Sequence, residues 1–229
     1  MARQHYGSGN VSSHGDFFSE QAGDESGKDF ISGHFGFNFA RPHLGARYSF
    51  TFLRDPIDRL ISLYNFCNTR PDDSFPIYRA ARRLSFEDFI AYGCDKPVSA
   101  GDIDHLICRE TIRNNQVWQL AHGWGADKNS KGRVSVLDFR NDELLSLAKR
   151  NLEAFDHVGT VEAFDNAAPV ILKALGIEHD GLARENVGTG SVRREELAPS
   201  TLAALAYATE LDAELYALAA SLAAARTPL

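Results

Sequence analysis

Two side chains in one short stretch raise the chemical question in this sequence. In FTFLRDPIDRLISLYNF, residues 50–66, Arg54 closes an apolar run and Ser62 follows further along. An arginine fork and a serine hydroxyl make a phosphate site when they converge above a helix N-terminus, where backbone N–H groups and the helix dipole already favour an anion. The neighbouring residues supply the elements that would position them. RYSFTFLRD (47–55) reads as a buried parallel strand, because its centre is almost continuously apolar. Asp55 can cap a helix whose first position is Pro56, where the missing N–H costs nothing. Ile57, Leu60, Ile61 and Tyr64 then fall on one stripe. Ser62 lies on the opposite face near Asp58 and Asn65, about 10 Å along from the helix start. Arg54 stands at the strand's C-terminal end, where open α/β sheets bind ligands. A strand-to-helix turn with a solvated arginine and a serine that avoids the core fits the same pattern, so the residues alone leave both readings open.

Beyond this stretch the patterning is mostly helical. Residues 1–28 are rich in Gly, Ser, His, Asp and Glu without period, and are expected to be a flexible lead-in to a single domain over 29–229. Helices are expected at about 76–92, 109–121, 142–154 and 163–175, the last stopping near Gly176. An alanine-rich helical pattern with one break fills the last 30 residues. RVSVLDF (133–139) and HVGTVE (157–162) read as further strands.

Composition narrows the function classes. The 229 residues, 44% hydrophobic and 24% charged, suffice for a substantial core. A formal net charge of −7 argues against a general nucleic-acid or anionic-membrane binder, but a few local cations can still govern a cleft. Cys67, Cys94 and Cys108 form no CxxC pair, which points to buried free thiols and away from zinc or a disulfide framework. No stretch approaches the ~20 apolar residues of a membrane span, and the N-terminus has no secretory apolar core. A soluble, cytoplasmic protein is the expectation.

The full string FTFLRDPIDRLISLYNF resembles the 3′-phosphate-binding segment of sulfotransferases, especially the carbohydrate type that includes heparan sulfate 2-O-sulfotransferase. The matching positions are Arg54, Asp55, Pro56, Arg59, Ser62 and Tyr64. ISGHFGF (31–37) is similar to the family's G-H-x-x-F segment, and NNQVWQL (114–120) to its central helix. Residues 151–177 and ENVGTGSVRREEL (185–197) resemble its later segments. The likeness implies a P-loop-like α/β fold with a parallel sheet flanked by helices. It also implies transfer of a sulfuryl group from PAPS to a hydroxyl, with PAP as product and no metal. The acceptor implied is a saccharide.

The resemblance also implies roles for single residues. Arg54 and Ser62 would hold the 3′-phosphate of PAPS, and Arg193 and Arg194, in the loop GTGSVRR, would contact the donor as second-rank ligands. His34 matches the family's general base, and a side chain with an ordinary pKa of ~6.5 can accept a proton near neutrality. Arg59 would support the turn or contact the acceptor. Glu162, Asn115 and Gln116 match family positions and read as structural or acceptor-side, and Trp118 and Trp124 as packing residues. The family's K-T-G-G-T-S-type loop has no counterpart here. GSGN (7–10) has no lysine, and GDESGK (23–28) is one residue short of a Walker loop and carries Asp24 and Glu25. The expectation is therefore an N-terminally shortened family member, the alternative being a degenerate one that binds a 3′-phosphonucleotide without catalysis.

Overall fold

Helix-forming stripes outnumber strands in this chain, and the structure, a computed structural model, follows that balance. It describes residues 1–13, 15, 23–71, 74–99, 101–123, 134–178, 181 and 191–226. In chain order the elements are α1 (Ala2–Tyr6), α2 (Phe37–Ala40), β1 (Phe50–Leu53), α3 (Pro56–Asn68), α4 (Pro76–Arg83), α5 (Phe86–Cys94), α6 (Ile103–Ile112), α7 (Asn115–Ala121), α8 (Asn141–Leu152), β2 (His157–Thr160), α9 (Phe164–Ala174), α10 (Pro199–Ala208) and α11 (Glu210–Arg226). The fold is mixed α/β, with a parallel two-stranded sheet among the described residues. The chain groups into two compact units: 1–53, 117–183 and 217–229 form the first, and 54–116 with 184–216 the second.

The first unit holds the sheet. β1 and β2 pair in register from Phe50 with His157 to Leu53 with Thr160. The Asp156 carboxylate accepts hydrogen bonds from the Ser49 N–H and hydroxyl, both at 2.8 Å, and so aligns the starts of both strands. Gly159 faces Phe52, whose ring would lie 2.5 Å from a Cβ at that position. The core includes Trp118, Leu152, Val158 and Ile171. Part of the expected lead-in packs here: α1 sits in it, the Tyr6 hydroxyl donates to the Leu175 carbonyl at 3.0 Å, and Val11 bridges Phe30.

The second unit is helical. The α3 stripe of Leu60, Ile61 and Tyr64 is buried together with Phe86, Phe89 and Ile90 of α5 and Leu205 and Ala208 of α10. The helix expected over 76–92 is two helices. Leu84 is extended, and the Ser85 hydroxyl accepts from the Asp88 N–H at 3.1 Å, starting α5 afresh. The helix expected over 109–121 likewise divides at Asn114, which adopts φ 46°. Asparagine tolerates this left-handed region better than most residues. The expected break in the C-terminal pattern falls at Thr209.

Among the described residues 134–139, the expected strand does not form. Residues 136–138 form a 3₁₀ turn in which Ser135 and Asp138 cap each other reciprocally, so side-chain capping overrides the alternating pattern of 133–139. All three cysteines are free and buried, as expected. Burial pushes the Cys67 and Cys108 thiols up to about 12 and the Cys94 thiol up to about 11. They are packing groups, with almost no thiolate at neutral pH.

Gly36 fixes the segment that carries His34. A Cβ on Gly36 would stand 2.1 Å from the Gly123 Cα, so the two backbones touch where only glycine fits. Beside them the Asn38 N–H donates to the His122 carbonyl at 3.0 Å. Gly36→Ala is expected to destabilise the protein by about 3 kcal/mol, the upper range for overpacking, because backbone must move. Urea denaturation checks this, and an unchanged midpoint would show that the two backbones separate freely.

Candidate functional site

Helix α3 begins as its sequence dictates. The Asp55 carboxylate accepts from the Ile57 and Asp58 N–H groups at 3.1 and 3.0 Å, and Pro56 occupies the first turn. This cap leaves Arg54 in the linking position between β1 and α3. Among the described residues its guanidinium makes no hydrogen bond or ion pair, while both of its backbone groups are engaged. Ser62, half-buried, lies two turns into the same helix.

The C-terminal part of the chain reaches this helix start. The Arg194 guanidinium donates to the Asp55 and Asp58 carboxylates at 3.1 and 3.0 Å. Asn65, also on the polar face of α3, exchanges two hydrogen bonds with the Val192 backbone, at 2.9 and 3.1 Å. The loop bearing both arginines is thus tied along α3. Arg193 is exposed and stands 3.8 Å from the Glu196 carboxylate. Three of the expected donor ligands therefore lie along α3: Arg54 just before its start, Ser62 two turns in, and Arg194 against Asp55 and Asp58. In this arrangement the single charge of Arg194 offsets part of the repulsion that the two carboxylates would exert on an incoming phosphate.

Arg59 has a structural role that the sequence left open. Its guanidinium donates to the Thr111 carbonyl at 2.9 Å and to the Asn115 side-chain oxygen at 3.2 Å, holding the end of α6 and the start of α7. Desolvation lowers its pKa, with Asp212 the leading charge that opposes the shift. Asp212 is fully buried. The sequence reading missed it, although an aspartate beside Leu211 and Leu215 in an alanine-rich helix is the signal of a buried charge with a partner.

The other expected residues lie elsewhere. His34 belongs to the first unit, is exposed, and donates its backbone N–H to the Gly15 carbonyl at 2.8 Å. Trp118 is a core residue, stacked on His122 with ring centroids 5.1 Å apart. Trp124 and residues 188–190 of the arginine loop lie outside the described residues. No cluster of metal-ligating side chains occurs among the described residues, and no helix there is long and apolar enough to cross a membrane.

A strand hands over to an Asp-capped helix, with an arginine at the handover and a hydroxyl along the helix, an arrangement in an α/β protein whose chemistry suits an anionic ligand. Residues 38–206 match the sulfotransferase family, and the chain belongs to that family. The match takes in Arg54, Arg59, Ser62, Arg193 and Arg194 but not His34. Comparison with curated proteins and with solved structures gives no match. The likeness read from the Arg-Asp-Pro segment is thus upheld at the level of the family, and sulfuryl transfer is the chemistry that the family carries.

The cap itself is open to measurement. Asp55→Ala removes the acceptor for two helix N–H groups and is expected to cost about 1 kcal/mol of stability in urea, with an unchanged m-value. A loss below a few tenths would mean that water replaces the cap without cost.

Proposed function

We propose that this chain is a PAPS-dependent sulfotransferase whose acceptor is a hydroxyl of a carbohydrate. The observation that carries the reading is the β1–α3 handover, with Arg54, whose guanidinium makes no hydrogen bond or ion pair among the described residues, just before an Asp-capped helix that also bears Ser62. Arg54 and Ser62 bind the 3′-phosphate of the donor, the one group that distinguishes PAPS and PAP from common adenine nucleotides. Arg194 and Arg193 close over the donor from the loop tied to α3. The saccharide acceptor rests on the likeness to the carbohydrate type.

In the transfer, the acceptor oxygen attacks sulfur as the bond from sulfur to the bridging phosphate oxygen breaks. PAP departs with that electron pair, and the hydroxyl proton passes to His34. Positioned acid–base groups of this kind contribute roughly 10²–10⁴-fold.

Thermal stabilisation by 3′,5′-ADP against 5′-ADP tests the phosphate site. At a hundredfold excess over Kd a ligand adds ~2.7 kcal/mol, so a selective site gives a larger shift with the 3′-phosphate present. Equal shifts, or none, would overturn the assignment of Arg54 and Ser62. Arg54→Ala is expected to abolish the difference while leaving the unliganded melting temperature nearly unchanged.

For the proton acceptor, His34→Ala is expected to keep 3′,5′-ADP binding and to lower sulfuryl transfer by ~10²-fold or more. Transfer at the wild-type rate would remove His34 from that role.

A further inference from the structure

Arg54 can select a 3′-phosphate only if its backbone, which sits in an irregular link between strand and helix, is held in place. The holding group is a side chain distant in sequence. Gln116 accepts from the Arg54 N–H through Oε1 at 2.9 Å and donates through Nε2 to the Arg54 carbonyl at 3.0 Å. One planar carboxamide thus meets both backbone groups of one residue, as a neighbouring strand would. A single hydrogen bond would leave rotation about that contact, whereas two parallel ones fix position and angle together.

Gln116 is itself tightly seated. Its backbone N–H donates to the buried Asp212 carboxylate at 3.3 Å. The preceding Asn115 takes the Arg59 guanidinium and donates its own amide to the Glu110 carbonyl at 2.8 Å. Asn114, in its left-handed conformation, receives the Leu211 and Asp212 N–H groups at 3.0 and 3.3 Å. The strained turn Asn114–Gln116 is therefore anchored to α3 through Arg59 and to the start of α11 through Asp212. Its product is the half-buried amide that grips Arg54.

We infer that Gln116 is a positioning residue for recognition of the nucleotide 3′-phosphate: it sets the Arg54 backbone, and through it the direction of the guanidinium, without touching the nucleotide. This rests on the reading of Arg54 as a 3′-phosphate ligand. It replaces the structural or acceptor-side role that the sequence alone suggests for Gln116.

Calorimetric titration of the full chain with 3′,5′-ADP and 5′-ADP separates the possibilities, with wild type, Arg54→Ala, Gln116→Met and Gln116→Asn compared. Methionine keeps the length of glutamine and loses both hydrogen bonds; asparagine keeps an amide but shortens its reach, and serves if the methionine variant does not fold. The expected result is that either Gln116 variant lowers the preference for 3′,5′-ADP by about tenfold, the range of one or two lost hydrogen bonds, with 5′-ADP affinity unchanged within about twofold. A merely structural role would lower the melting temperature or weaken both nucleotides alike while the preference stayed intact. That outcome, with Arg54→Ala still abolishing the preference, overturns the role of Gln116 alone. A wild type with no preference overturns the 3′-phosphate reading and this inference with it.

Discussion

A desolvated guanidinium is the constraint around which the second unit is built. Taking the Arg59 charge out of water is costly, and the cost is met only where carbonyls and a carboxylate surround it. The Thr111 carbonyl, the Asn115 side chain and the field of Asp212 do this. To supply them, α6 must end beside α3, the chain must turn at Asn114, and α11 must begin close enough to offer Asp212. The same requirement that stabilises a buried charge thereby delivers Gln116 to Arg54.

Groups that stabilise the helix and groups proposed to bind the donor crowd into one small region. The α3 start carries a capping carboxylate, two further hydrogen bonds to Arg194, and Arg54, whose guanidinium makes no hydrogen bond or ion pair among the described residues. Carboxylates beside a helix N-terminus stabilise it but also oppose an arriving anion. Arg194 offsets part of that opposition, so the loop from residue 191 onward serves the electrostatics of the helix start as well as its geometry. The family match covers this loop and α3 together.

Much of this region was legible in the sequence because its causes are local. The Asp55 cap, Pro56 and the stripe of Leu60, Ile61 and Tyr64 act within one or two turns, so spacing reveals them. Ser85 three residues before Asp88 is equally local and marks the start of α5, yet the surrounding apolar period ran through it and hid the break. The alternation in VSVLDF suggested a strand, whereas the reciprocal Ser135–Asp138 cap favours a turn. Gln116 was illegible for another reason: its partner Arg54 lies far away along the chain, and nothing in a local pattern announces a contact of that range. The arginine motif thus suggested an anion site, but not what holds the arginine in place.

The second unit is assembled from residues 54–116 and 184–216, with a long stretch of the first unit between them. The gene therefore spells this region in two separated passages. A late frameshift that spared the whole Arg-Asp-Pro motif would still delete Arg194, the Val192 tie to Asn65 and the Asp212 carboxylate. For the same reason, a short fragment spanning the motif is no miniature of the protein. An insertion near residue 200 and a substitution near residue 115 are neighbours in effect, and sequence distance is a poor guide to which inherited changes will compound one another.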